Sequence, residues 1–282
     1  MRWFDALIPA ALLLAALSSC SGNDDPQANM ATAVTAPSFA VITDESGVID
    51  ILPDVSCSVA FDDEEKTALI VMPNRGWSES EQGSVIRFKD VDWVFDGLSR
   101  RLTALVAVPD GQPEPVLTDL SILYQAPREV AGRMADGLAV SFTADGRRVT
   151  FIPLHTLLCG TTESVALDDQ TEAVVSTETV YSIDIDPDAG VAVMMVGEPR
   201  FDLAGRIAPA SMELRSLSVE PYAGGYRLSA DATVPSVGGV AQPDYEVRDL
   251  TVDVSLFGES TLSYTTSAGY SVKAYFEGVY MR

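Results

Sequence analysis

The chain has one histidine, His155, in "FIPLHTLL". Any Ser–His–Asp or Cys–His device would have to be built around it, because the nucleophile needs an imidazole within hydrogen-bond reach. Its apolar flanks assign it instead to the end of a strand, as a structural residue. With one histidine and no C-x-x-C pair, no zinc site is expected. Asp184, Asp186 and Asp188, followed by Gly190, have the D-x-D-x-D spacing of a calcium loop. An EF-hand loop also requires Gly at its sixth position and Glu at its twelfth. Ala189 and Met195 stand there, so the segment is expected to be a hairpin turn, with no metal and no cofactor. Glycosidase carboxylates meet only in space, and among 41 acidic residues no pair stands out. No catalytic residue is assigned, and the chain is expected not to be an enzyme.

Two further residue types invite chemistry. Trp77, in the polar segment "PNRGWSESEQGS", is a candidate ligand contact, since an exposed indole can form a platform for a glycan or a protein. The competing reading has it folding back to plug one end of a barrel. Cys57 and Cys159 form an even pair in what reads as an exported chain, so they admit either a disulfide or two buried thiols.

The third cysteine, Cys20, ends the stretch "ALIPAALLLAALSSC". The apolar run of residues 6–17 is too short to span a bilayer, which takes roughly 20 residues, and has the length of a secretory signal core. Leu17-Ser18-Ser19-Cys20 resembles a bacterial lipobox. That likeness implies cleavage of residues 1–19 and acylation of Cys20, with several chains giving stable membrane attachment. The "NDD" at 23–25 resembles the acidic signal that sends many Bacteroidetes lipoproteins to the outer face of the outer membrane. Residues 20–37, low in large apolar side chains, read as a flexible lipidated stalk.

Charge narrows the partners. Loss of Arg2 and Asp5 with the signal leaves the net charge at −23. No basic footprint for nucleic acid exists. Anionic lipid headgroups would repel such a chain, so membrane attachment falls to the lipid alone.

The rest of the chain matches itself. At a spacing of 124, Ser58, Val59, Phe61 and Asp62 fall on Ser182, Ile183, Ile185 and Asp186, and "TALIVM" on "VAVMMV". At 126, Ile86, Phe88, Val91 and Trp93 fall on Met212, Leu214, Leu217 and Val219. In both sets the apolar alternation slips by one between the second and third members, which predicts a β-bulge at one place in each copy. "RLTALVAVP" then meets "RLSADATVP", "TDLSI" meets "RDLTV", and "VSFTADGRRVTF" meets "LSYTTSAGYSVKAYF". The match divides the chain into residues 38–161 and 162–282. Period-two alternation and turns such as "DPDAG" and "ADGR" predict an all-β chain of two tandem antiparallel domains, as small barrels or else as β-sandwiches.

The second copy, through "DPDAGVAVMMVGEPRFDLAGRIAPASMELRSLSV", "GGYRLSADATVP" and "LSYTTSAGYSVKAYFEG", resembles the calycin-like (lipocalin-like) β-barrel domains of Bacteroidetes lipoproteins. The likeness reaches the first copy more faintly. It implies an exported, lipid-anchored barrel protein and supplies no ligand. The expectation is a surface-displayed, non-enzymatic binding or adhesion module with a glycan or protein ligand. The alternatives are a periplasm-facing carrier with an apolar pocket inside one barrel and, less favoured, a hydrolase.

Overall fold

Alternating sequence becomes alternating burial wherever one sheet face is wet. Val191–Gly197, "VAVMMVG", is half-buried and buried by turns along its whole length. The computed structural model describes residues 31–281 apart from 74–75, 78–84, 96–98, 112–115, 131–132, 169–172, 200–210 and 223. Residues 1–30, with the expected signal and Cys20, lie outside the described residues.

The first half is one curled antiparallel sheet, a half-barrel. Its strands are β1 (Ala31–Val34), β2 (Ser38–Asp44), β3 (Gly47–Val55), β4 (Ser58–Phe61), β5 (Thr67–Pro73), β6 (Val85–Phe95), β7 (Ser99–Ala107), β8 (Leu117–Val130), β9 (Arg133–Ala144) and β10 (Arg147–Pro153). They pair in the order β1-β4-β5-β6-β7-β8-β9-β10-β2-β3. Pro37 sits between β1 and β2 and has no N–H to offer a ladder. There the chain changes partners: β1 lies on β4, whereas β2 lies on β10 and β3. The stalk expected over 20–37 therefore ends earlier. Residues 31–34 are strand, paired with β4, and Ala33 and Thr35 are buried.

The second half closes on itself. Its strands are β11 (His155–Ala166), β12 (Ala173–Ser176), β13 (Val180–Asp186), β14 (Val191–Gly197), β15 (Ser211–Tyr222), β16 (Gly225–Thr233), the short hairpin β17 (Ser236–Val237) and β18 (Val240–Ala241), β19 (Val247–Ser255), β20 (Ser260–Thr266) and β21 (Tyr270–Met281). Eight of them form the ring β11-β13-β14-β15-β16-β19-β20-β21, with β21 returning to β11. Closure removes both sheet edges. The fold is all-β, with barrel architecture rather than sandwiches. Position 161/162, where the self-match divides the chain, falls inside β11.

The two halves repeat each other down to irregularities of the ladder. Ser58 opposes Val71 as Ser182 opposes Met195, both at a spacing of 124. The register slips between Ala68 and Ile70 against β6, and between Ala192 and Met194 against β15. These are the bulges that the apolar slip predicted. Asp90 and Ser216, the extra residues, have φ of 56° and 58°. A second matched pair of slips lies at Thr118/Ser121 and Arg248/Thr251, where Asp119 and Asp249 have φ of 50° and 52°.

Burial on two faces joins the halves. In β2, Ala40 and Ile42 point into the first core, with Val149 and Phe151 of β10. Phe39, Val41, Ala139 and Ile152 point the other way and belong to the barrel's core cluster.

Candidate functional site

The sequence-derived site residues are scattered. Trp77 is fully buried and packs edge-on against Phe142 and tilted against Phe151, with ring centroids 5.6 and 5.8 Å away. It is part of the first core and not a ligand platform, because burying an indole outweighs leaving it in a polar segment. Its Nε1–H finds no acceptor among the described residues. Cys57 and Cys159 are free thiols, and the disulfide is not formed. Cys57 lies wholly inside the first core, whereas Cys159 packs on the outside of the barrel against Ala135, Leu157 and Tyr280. Burial pushes both thiols up, Cys159 to about 11, with Arg128 pulling the other way.

His155 opens β11 on the barrel's outer surface, Nδ1 2.5 Å from Asp184 Oδ1 across the ladder, both side chains about half exposed. Asp186 accepts the backbone N–H groups of Asp188 and Ala189, which makes 186–189 an Asx-type turn. No cluster of His, Cys, Asp or Glu suited to a metal occurs among the described residues.

The barrel interior is occupied by side chains. Tyr181, Met194, Met212, Leu214, Tyr226 and Leu228 are all fully buried in it, and the Tyr181 hydroxyl lies 3.1 Å from that of Thr162. The end of the first sheet is also taken. Arg100 lies over Phe61, Trp93 and Tyr124, at 5.1, 5.1 and 5.9 Å, and its Nη2–H donates to Asp63 Oδ1. This aromatic cage holds a cation of its own chain.

The open space lies between the halves. A cleft of about 610 Å³ runs between the outer face of β7–β8 and the loop after β19, within the roughly 300–1,000 Å³ typical of ligand pockets. Arg101, Leu123 and Gln125 line one side and Ser255, Phe257 and Glu259 the other, and the almost wholly buried Phe276, Val279 and Tyr280 lie beneath. β8 makes the cleft by running past Gln125. Its register against β9 slips between Gln125 and Arg128, around Ala126 and Pro127. A bulge is where a strand tolerates proline, and it re-aims the residues beyond it. Arg128 emerges with its guanidinium 4.5 Å from the centre of the Tyr280 ring. The arm is then pinned: Ala135 packs on Leu157 and Tyr280, and Asp136 pairs with Met281 of β21. The Gln125 Oε1 is buried without a partner among the described residues.

Comparison with protein-family models, with curated proteins and with solved structures gives no match to this chain. The geometry therefore stands alone. It sets Leu123 and Phe257 beside Arg128, whose guanidinium lies over Tyr280. Sequence reasoning missed this site, although a signal was present. The spacing between copies falls from 130 at "TDLSI"/"RDLTV" to 122 at "VSFTADG"/"LSYTTSAG". The first copy thus carries eight additional residues there, and these extend the β8–β9 hairpin into the arm.

Proposed function

We propose that the chain is an exported, lipid-anchored binding module of the outer membrane, held by acyl groups on Cys20 and displayed at the cell surface, with the cleft between its halves as the binding site. The observation that carries this reading is the cleft itself: concave, mostly apolar, and built by an arm that only one copy possesses. The packed barrel interior favours it over a carrier that would enclose an apolar ligand there. The lipobox-like "LSSC" and the acidic "NDD" support export and anchoring, and the barrel architecture is in keeping with a calycin-like lipoprotein. No step of bond-making is part of the role.

Cross-linking on intact cells, with protease shaving as the control, tests the reading. Protease sensitivity together with a captured surface glycan or protein is the expected result. Protection from protease, with inner-face neighbours alone, overturns surface display and favours the periplasmic carrier. Cys20→Ala is expected to release the protein from the membrane fraction, and retention would overturn the lipid anchor.

A further inference from the structure

The closed second half has no sheet edge, but the first half ends on one. Among the described residues β3 pairs with β2 alone. We infer that this edge is a second binding site, independent of the cleft. Its ligand is an extended peptide segment that alternates aliphatic residues with lysine or arginine and adds to the sheet as a strand.

The strand is open on its faces and along its backbone. Val48, Ile49 and Ile51 are 48, 44 and 44% exposed, whereas β2 beside it is buried from Ser38 to Ile42. The Ile51 N–H is donated to the carboxylate of Asp50, 2.8 Å away. The strand's own side chain thus serves a donor of the kind that a neighbouring strand serves inside a sheet. The counterpart in the second copy, β12, has four residues against nine in β3. Only the first copy therefore offers a strand long enough for a peptide to pair along.

Charge decides what pairs there. Asp50 and Asp54 lie in the strand, and Asp44 and Glu45 at the turn that leads into it, with Arg147 the cation beside Asp44. The whole chain carries −23. Like charges set opposite one another destabilise a strand pair, and opposite charges stabilise it. A second copy would bring the same carboxylates against these, whereas lysine or arginine at alternate positions would meet them. Charge and proline are also the devices that keep natural sheet edges from pairing with themselves. Pro53 has no N–H to offer, so pairing runs over residues 47–52. The edge turns away its own kind and admits a cationic strand.

Titration calorimetry on the full chain carrying Cys20→Ala, so that no acyl group intervenes, tests the inference. The probe is an acetylated, amidated heptapeptide alternating lysine and valine, with a second peptide carrying glutamate for lysine. Two further versions are methylated on the amide nitrogens of the valines or of the inner lysines, and each blocks one edge of the peptide. One of these two is expected to bind at least about tenfold more weakly than the parent, as loss of two or three hydrogen bonds implies, and the other to bind like it. Both keep the charge of the parent, so general attraction to an acidic chain affects them equally. The glutamate peptide is expected not to bind. Hydrogen exchange of the complex is expected to slow within residues 47–52. Ile49→Lys, at an exposed position, is expected to weaken the lysine peptide at least about tenfold and to leave thermal unfolding unchanged. Equal binding of the two methylated versions, protection confined to other strands, or binding of the glutamate peptide overturns the inference. A concentration-dependent dimer that Ile49→Lys disperses gives the edge to a second copy and overturns it too. Failure of the lysine peptide to bind does the same, and the cell-surface cross-linking then decides separately whether the binding role stands.

Discussion

Trp77 shows how a residue's surroundings redefine it. Gly76, at φ 86°, turns the chain so that the next side chain enters the core, a conformation that glycine adopts without penalty. Replacement by alanine is expected to cost about 3–5 kcal/mol, as for other large-to-small core changes. Trp77→Phe is expected to cost roughly 1 kcal/mol or less, because it also removes an N–H buried without an acceptor. Urea unfolding of the two variants separates these outcomes. The buried tyrosines make a second prediction. Burial holds Tyr181 up at about 12 and raises Tyr226 and Tyr264 as well. Above the ordinary tyrosine value, the unfolded chain releases protons that the native state retains. Stability is then full below about pH 10 and falls as pH rises through 10 to 12. A phenolate absorbance titration should show at least three of the nine tyrosines ionising only as the fold is lost.

At the scale of elements, the bulges pin the register. A non-glycine residue in the left-handed region gives up roughly 1–2 kcal/mol, yet Asp90 and Ser216 both accept it at matched sites. The slip brings Leu217 back to the inner face after Leu214 and so keeps both in the core. Ser216→Gly is expected to leave stability unchanged or raise it by up to about 1 kcal/mol, whereas Ser216→Val lowers it by at least that amount; thermal unfolding of the pair checks both signs. Gly160 marks another slip, between β11 and β21. A Cβ there would be driven into the Tyr275 carbonyl oxygen, so Gly160→Ala is expected to open the barrel at its closing seam, seen as lost amide protection in β21. The duplicated bulges were legible because apolar parity records them directly. The arm beyond Gln125 was not, since an insertion within a strand looks like any other difference between copies until its partner strand is known.

For the whole molecule, the strand pair β2–β10 acts as a common wall. Its residues alternate between two cores, so neither half keeps its full apolar burial without the other. The full chain is expected to unfold in one calorimetric transition. Residues 38–153 produced alone should expose Phe39, Val41, Ala139 and Ile152 and aggregate. Two well-separated transitions, or a soluble and folded isolated first half, would contradict a shared wall.

The sequence by itself determined the β class, the duplication, the two matched bulges and the hairpin at Asp186–Gly190, because each leaves a trace within a few residues: parity, spacing or turn chemistry. Tertiary structure decided the rest. Whether Trp77 faced solvent or core depended on Phe142 and Phe151, far along the chain. Whether Cys57 could reach Cys159 depended on which core each entered. Which half closed depended on one ladder between β21 and β11. The cleft exists only because the arm of the first half crosses to the barrel of the second, and a local pattern carries no record of where distant elements meet.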